Sequence, residues 1–193
     1  MANTDAPRGA VPIKHLDGSP YNGATSPYKI ANAYNTAIFT GDFVKMTATG
    51  YVELAAGGDL GLLGVFQGCN YRDTNGKPQW SPYWPASTST FNSEGAVAAV
   101  VDAPDVIFEM QMDSDSATPS QADVGTNADF IATHTGLTAT GLSREEVDTS
   151  TCTSATANLR ILRFVEGAGN EVGNFAKVEV LINEHFYKTT TGI

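Results

Sequence analysis

The chain has 193 residues, and its 11 lysines and arginines against 21 aspartates and glutamates give a formal net charge of −10. This length is enough for one β domain that buries its own core. The acidic balance argues against nucleic acid as the direct partner, because phosphate binding requires a basic face, and equally against an anionic membrane surface. Only 17% of the residues are charged, and the small polar residues that replace them suit strands and turns better than helices.

The first 35 residues contain four prolines with glycines between them and no sustained hydrophobic period. So many helix and strand breakers predict an extended N-terminal arm, residues 1–35, without a core of its own. Such an arm is either a disordered terminus or a segment ordered by lying on another surface. Docking is favoured by its aromatic residues, which are enriched at interfaces: Tyr21, Tyr28 and Tyr34. Residues 36–193 are predicted to form a single β-rich domain.

A hairpin followed by a buried strand opens this domain. Apolar and polar residues alternate in segments 43–47 and 51–55, which is typical of strands with one buried face. Gly50 between them can adopt the positive φ that closes a short loop. The run 62–69 is apolar on both faces, which predicts a central strand covered on each side. A second hairpin is predicted at Asn75-Gly76, the favoured pair of a type I′ turn.

Aromatic residues concentrate in the loop that follows. Segment 80–85 holds two prolines and three large aromatic residues, Trp80, Tyr83 and Trp84. These side chains suit a subunit contact, or a platform on which sugar rings stack. The alternative is a loop that plugs the end of its own barrel, since tryptophan is usually highly buried.

Four later segments have the apolar content or the alternation of strands: 96–101, 106–112, 159–165 and 176–183. One short helix is predicted between them, with Thr118 as its N-cap, Pro119 at its first position, Gln121 completing a capping box and Gly125 ending it. Together the patterns predict an all-β fold, an antiparallel β-barrel or sandwich of jelly-roll or β-tulip-like type, with one short helix and the extended N-terminal arm.

The sequence contains no recognisable catalytic or cofactor motif. The three histidines lie far apart, and neither a nucleophile elbow nor a phosphate-binding loop occurs. Glu145 and Glu146 are adjacent, so on a strand they would face opposite ways and could not share a proton. Asp113 and Asp115 could bind calcium, but the other ligands of an EF-hand are missing, and a solvated loop is the preferred interpretation. We therefore expect no enzymatic activity, no metal and no cofactor.

The two cysteines, Cys69 and Cys152, are expected to be free thiols. The first residues have neither the basic nor the apolar region of a secretory signal, so synthesis in the cytoplasm is expected, where thiols stay reduced. A disulfide between the two is the alternative. No apolar run reaches the length that spans a membrane.

Several short segments resemble a family of tailed-bacteriophage capsid proteins, the cement or decoration proteins that stabilise the head. The similar segments cover most of the chain: 2–7 with Val11-Pro12, 15–23, 64–69, 82–85, 101–104 and the closing strand 178–185. The resemblance implies a β-rich structural protein on the exterior of the virion, made in the host cytoplasm. Its implied partners are the major capsid protein and further copies of itself, as a homotrimer or alternatively a dimer.

On this hypothesis the arm clamps neighbouring capsid subunits. Docking contacts would come from positive charges in an otherwise acidic molecule and from aromatic anchors: Arg8, Lys14, Lys29, Tyr21, Tyr28 and Tyr34. Subunit contacts would come from Trp80, Tyr83 and Trp84. The rival hypothesis is a carbohydrate-binding surface module that uses the same three aromatic residues as a stacking platform.

Overall fold

The computed structural model describes residues 3–115, 117–153 and 155–188. Within them, thirteen strands are joined by turns and short 3-10 helices, and no helix reaches seven residues. None of the described helices is long and apolar enough to cross a bilayer. The strands are β1 (Val11–His15), β2 (Ser26–Ile30), β3 (Ile38–Phe39), β4 (Phe43–Met46), β5 (Val52–Leu54), β6 (Leu62–Arg72), β7 (Pro78–Ser81), β8 (Tyr83–Trp84), β9 (Ala96–Val101), β10 (Val106–Gln111), β11 (Asn127–Ala128), β12 (Leu159–Phe164) and β13 (Lys177–Ile182). The 3-10 helices are Phe91–Ser93, Gln121–Asp123, Thr149–Thr151 and Phe186–Lys188.

Two antiparallel sheets form a sandwich, and neither closes into a barrel. The five-stranded sheet has the order β1-β10-β13-β12-β11. In the six-stranded sheet, five strands follow the order β2-β9-β6-β4-β5, and the sixth, β7, pairs with β6 beyond the end of its pairing with β4. Strands β3 and β8 pair as a separate two-stranded ribbon. The predicted all-β antiparallel fold is therefore confirmed in its sandwich form.

Strand β6 is buried on both faces, as the sequence predicts. Leu62 and Val65 contribute to one hydrophobic cluster, together with the inward residues of the five-stranded sheet. Leu63 and Phe66 contribute to a second cluster, which forms around Trp84. The members of each pair are three residues apart, and they share a face because the register of β6 against β4 shifts between Leu62 and Gly64. An extra residue of this kind resets the alternation of a strand, so β6 supplies side chains to both clusters. The two cysteines are free thiols, as expected.

Both predicted hairpins are present, but the second turn differs from the expected type. Gly50 and Gly76 have φ of +80° and +81°, the left-handed conformation that glycine adopts without penalty. A type I′ turn needs positive φ at both central residues, and Asn75 is not among the residues with positive φ. The amide of Gly76 donates to the Asp73 carbonyl at 2.8 Å, and that of Asp73 donates to the Lys77 carbonyl at 3.0 Å, so the loop is longer than two residues.

The predicted short helix exists as a single 3-10 turn that begins later than expected. Ser120, not Thr118, is the N-cap: its hydroxyl accepts from the amide of Ala122 at 3.3 Å. The capping box is closed by Asp123, whose carboxylate accepts from the Ser120 amide at 2.7 Å. The charged carboxylate of Asp123 is a stronger acceptor than the amide of Gln121, which explains the shift. Gly125 follows with the expected left-handed φ of +88°.

The N-terminal segment is extended, but it belongs to both sheets and does not stand apart as an arm. Strand β1 pairs with β10 and strand β2 pairs with β9, so each supplies an edge. Pro12 and Pro27 are tolerated there because an edge strand can do without one ladder hydrogen bond. The side chain of Ile30 is fully buried in the cluster around Trp84. The described part of the predicted arm therefore shares its core with the body.

Candidate functional site

A row of side chains crosses four strands on the outer face of the six-stranded sheet. The strand register sets Lys29 of β2 opposite Val97 of β9, Val97 opposite Asn70 of β6, and Asn70 opposite Trp80 of β7. Residues directly opposite each other in antiparallel strands share one face. The preceding residue of β6, Cys69, points inward and is fully buried. The row therefore lies on the side that faces away from the core.

These residues line an open cleft of about 400 Å³, which we call the Trp80 cleft. The indole of Trp80 is 66% exposed, an unusual state for the largest apolar side chain. Gly68 makes room beneath it: a Cβ at that position would lie 3.1 Å from the Ser81 carbonyl oxygen and 3.4 Å from Cζ2 of Trp80. The remaining lining comes from Lys29, Asn70, Tyr71, Arg72, Pro78, Gln79, Glu94, Gly95 and Val97.

A guanidinium is held in a fixed orientation beside the indole. Arg72 donates from Nε to Glu94 at 3.1 Å and from Nη2 to the second oxygen of the same carboxylate. Its guanidinium carbon also lies 4.7 Å from the centre of the Phe91 ring. An exposed ion pair stabilises the fold little, but the bidentate geometry and the cation–π contact orient the charge. The cleft therefore presents an oriented ion pair, Arg72 with Glu94, next to an apolar surface.

The hairpin that carries Trp80 is braced by Asp73. Its Oδ1 accepts from the amides of Asn75 at 2.9 Å and Lys77 at 3.0 Å. The hydrogen bond from the Lys77 amide is the main cause that lowers the pKa of the Asp73 carboxyl. The backbone of the turn is thus fixed before any ligand binds, which limits the conformational entropy lost on binding.

Of the predicted aromatic patch, only Trp80 faces the cleft. Trp84 has no exposed surface, so the prediction that it contacts a subunit or a sugar is wrong. Its indole Nε1 donates to the Tyr34 carbonyl at 3.1 Å, and its ring meets that of Tyr71 edge-on at 5.7 Å. Tyr83 is half-buried and stacks on Phe39 at 5.2 Å between ring centres.

The three tyrosines predicted as docking anchors make contacts inside the chain. Tyr21 donates to the Ala24 carbonyl at 2.8 Å, and Tyr28 donates to Asp102 at 2.6 Å. The Tyr34 hydroxyl accepts from the Leu54 amide at 3.1 Å. All three rings are half-buried against the hydrophobic clusters. They fasten the N-terminal segment to the body, and this is not the role expected from the sequence.

The three predicted cations separate into two places. Arg8 forms an ion pair with Glu109 at 3.3 Å, and Lys14 forms one with Glu179 at 2.7 Å, both on the five-stranded sheet. Lys29 is exposed in the Trp80 cleft. The structure therefore brings together one predicted docking residue, Lys29, and one predicted contact residue, Trp80.

Sequence reasoning missed the partners of Trp80 in the cleft. Asn70 and Arg72 continue the alternation of β6 beyond Cys69, with Tyr71 between them on the other face. Extending the strand by three residues would have identified both as outward-facing. Glu94 could not be found this way, because a 3-10 turn and a loop bring it to Arg72.

A buried pair of carboxyl groups was missed as well. Asp42 is 3% exposed and accepts from the Phe39 amide at 2.7 Å, and Glu145 is 1% exposed and accepts from the Phe43 amide at 3.0 Å. Burial raises the pKa of Asp42 to about 6. Burial, and then the charge of Asp42, raises the pKa of Glu145 well above its ordinary value. Glu146 contacts His134 instead, in line with the expectation that the adjacent glutamates do not share a proton.

No known protein serves as a guide to the chemistry of the Trp80 cleft, so the side chains that line it are the only guide. No family model matches the chain, and no curated protein and no solved structure was found to be similar to it. Among the described residues that line the cleft there is no serine, cysteine or histidine that could pair as nucleophile and base. An exposed indole, the amide side chain of Asn70, Lys29 and the Arg72–Glu94 ion pair can instead hold a protein surface or a polar ring against the sheet.

Proposed function

We propose that the protein is a structural virion protein that binds the outer surface of an assembled phage capsid and stabilises it by clamping neighbouring major capsid protein subunits. The observation that carries the proposal is the exposed indole of Trp80 in register with Lys29 and beside Arg72. Exposed tryptophan and arginine side chains are the types that dominate binding energy at protein interfaces. The capsid as partner follows from the resemblance of segments such as 15–23 and 82–85.

The mode of action relies on contact area. A rigid sandwich that spans two capsid subunits resists their separation, and many copies on a repeating lattice bind with a multivalent advantage. The net charge of −10 favours a capsid surface of complementary positive charge. We propose a homotrimer as the bound form, with a dimer as the alternative, which the native mass of the purified protein distinguishes.

Replacement of Trp80 by Ala is expected to weaken binding to empty capsids at least about tenfold, because truncation of a central interface aromatic removes a large share of the contact energy. Co-sedimentation of the purified protein with capsids measures this. Tyr51→Ala is the matched control, since it truncates another exposed aromatic outside the cleft. Equal capsid binding by Trp80→Ala and the unchanged protein would remove the cleft from the proposal.

A second candidate function is binding of carbohydrate at the same cleft. The observation that favours it is an exposed indole beside the amide side chain of Asn70, directly opposite it in the sheet. The indole can stack on a sugar ring and the amide can hydrogen-bond its hydroxyls. The platform has one ring, since Trp84 is buried. Binding to a glycan array that disappears in Trp80→Ala, with capsid binding unchanged, is the expected result if this function is the true one.

A further inference from the structure

A second pocket, of about 340 Å³, lies where the chain leaves β10. We call it the Glu146 pocket. Four carboxyl groups line it, from Asp5, Asp113, Asp115 and Glu146, together with His134, Arg144, Thr133, Thr135 and Phe175. Asp113 is buried and not solvated as expected from the sequence: its Oδ1 accepts from the amide of Thr149 at 2.9 Å and from the Thr149 hydroxyl at 2.5 Å.

Backbone hydrogen bonds fix Glu146 in this pocket. The amide of Val147 donates to the Gln111 carbonyl at 2.9 Å, and the amide of Asp113 donates to the Val147 carbonyl at 3.1 Å. On the other side, the amide of Ile131 donates to the carbonyl of Glu146 itself at 2.9 Å. The segment is therefore held between the end of β10 and residues 130–131, and the side chain of Glu146 starts from a rigid backbone.

The N-terminal segment brings Asp5 to the same place. Gln111 is 5% exposed and fastens the residues on either side of Asp5. Its Oε1 accepts from the Ala6 amide at 3.0 Å, and its Nε2 donates to the Thr4 carbonyl at 2.9 Å. Asp5 is thus positioned between two anchored neighbours and lines the pocket.

One oxygen of Glu146 is left without a hydrogen-bond donor. The residue is 5% exposed, its Oε2 lies 3.0 Å from Nδ1 of His134, and its buried Oε1 has no partner among the described residues. An unpaired buried carboxylate oxygen is costly. Burial raises the pKa of Glu146, the hydrogen bond with His134 opposes that rise, and the charges of Asp5 and Asp113 add to it. A positively charged hydrogen-bond donor would pair the free oxygen and would lower the pKa of the Glu146 carboxyl.

We propose that the Glu146 pocket receives an arginine side chain of a protein partner, whose N–H groups bond the neighbouring carboxylates and also Glu146 Oε1, which a rotation of the Glu146 carboxylate brings from its buried position into the pocket. A metal ion fits less well: no three acidic, histidine or cysteine side chains in the described part of the chain are placed to hold one. Metal ligands must converge within about 2.0–2.6 Å of one point. A guanidinium spreads five donors over a wider fork and pairs with several carboxylates at once.

Two groups at the pocket carry or can carry positive charge. Arg144 is exposed and lines the pocket, so it opposes a second cation unless it swings towards solvent. His134 is already paired with Glu146. Four carboxylates against these two groups leave the pocket net acidic. The site is separate from the Trp80 cleft, so this inference goes beyond the proposed function and does not depend on it.

The test is a titration of the isotope-labelled full chain with Nα-acetyl-arginine amide, followed by NMR. Saturable shifts are expected at the backbone amides of Glu146, Val147 and His134. Glu146→Gln is expected to weaken binding at least about tenfold, because it removes a hydrogen bond between charged groups. Glu53→Gln is the matched control: it removes the same charge from an ion pair with Lys45, and it should bind like the unchanged protein.

Three comparisons make the result decisive. Nα-acetyl-citrulline amide, which has a similar shape but no charge, is expected to give no saturable shift. Arg144→Ala is expected to bind the arginine probe more tightly. A parallel titration with calcium chloride tests whether the pocket binds a metal ion instead of a guanidinium. The proposal is overturned if citrulline binds equally, if Glu146→Gln binds as well as the unchanged protein while remaining folded, or if calcium saturates the site and arginine does not.

Discussion

Replacement of Trp84 by Ala is expected to destabilise the protein by about 3 to 5 kcal/mol, the range for truncation of a buried aromatic residue. Trp84 is fully buried in the cluster that includes Phe66 and Ile30. Its removal leaves a cavity and also takes the donor from the Tyr34 carbonyl. Urea-induced unfolding, followed by circular dichroism, measures the free energy of unfolding directly.

Trp80 provides the control for this experiment, because it lies four residues earlier and is exposed. Trp80→Ala should change the free energy of unfolding by less than about 1 kcal/mol, since exposed positions contribute little to stability. Trp84→Phe should lie between Trp84→Ala and the unchanged protein, because it keeps an apolar ring and loses the indole hydrogen bond. A Trp84→Ala variant as stable as Trp80→Ala would contradict the assignment of Trp84 to the core.

Replacement of Asp42 by Asn is expected to stabilise the protein by about 3 kcal/mol near pH 8 and to have little effect near pH 3.5. The pKa of Asp42 is raised from 3.8 to about 6 in the folded chain. The folded state therefore binds more protons than the unfolded state between these values. The stability that this group contributes is full below pH 3.8 and is lost as the pH rises through 6. Asn does not titrate, so it avoids that loss and can still accept from the Phe39 amide.

The pH dependence should be read as the difference between the variant and the unchanged protein. Other groups titrate in the same window: burial lowers the pKa of His185 to about 4, which weakens the fold as the pH falls from about 6.5. The difference cancels that contribution. Asp115→Asn, at an exposed position, controls for the loss of one negative charge. A stability difference for Asp42→Asn that stays constant from about pH 4 to pH 8 would refute the assignment.

The strands that the sequence predicts correctly are those whose signal is local. Segments 106–112 and 176–183 each alternate over five residues, and they appear as β10 and β13 in the interior of one sheet. The run 62–69 is apolar at almost every position and becomes β6, the strand with a hydrophobic cluster on each face. In each case the burial of a strand depends on its own residues, so the pattern is enough.

The orientation of the two tryptophans shows where local patterns fail. Trp80 and Trp84 are an even number of residues apart, so one continuous strand would place both on the same face. Instead β7 ends at Ser81, and the chain turns at Pro82 into β8, which pairs with β3 in a different sheet. Only the tertiary path decides that one indole faces solvent and the other the core.

The buried carboxyl groups illustrate a second limit. Glu145 bonds the amide of Phe43, a residue 102 positions away, and Asp42 lies beside it. Glutamate and aspartate are rarely buried, so composition and period assign both to the surface. The Glu146 pocket joins the N-terminal segment to the end of β10 and to residues 133–135 in the same way. Contacts between such distant segments are outside what a window of neighbouring residues reports.

The position of β1 and β2 at the sheet edges has a consequence for biosynthesis. Val11 pairs with Glu109 and Ser26 pairs with Val100, so during synthesis β1 and β2 have no partners until β10 and β9 are made. Strand β10 in turn waits for β13. Pairing strands that are so distant in sequence costs loop-closure entropy before the stabilising contacts form, and this slows folding. The five-stranded sheet of a nascent chain therefore stays incomplete, and accessible to chaperones and proteases, until β13 has emerged.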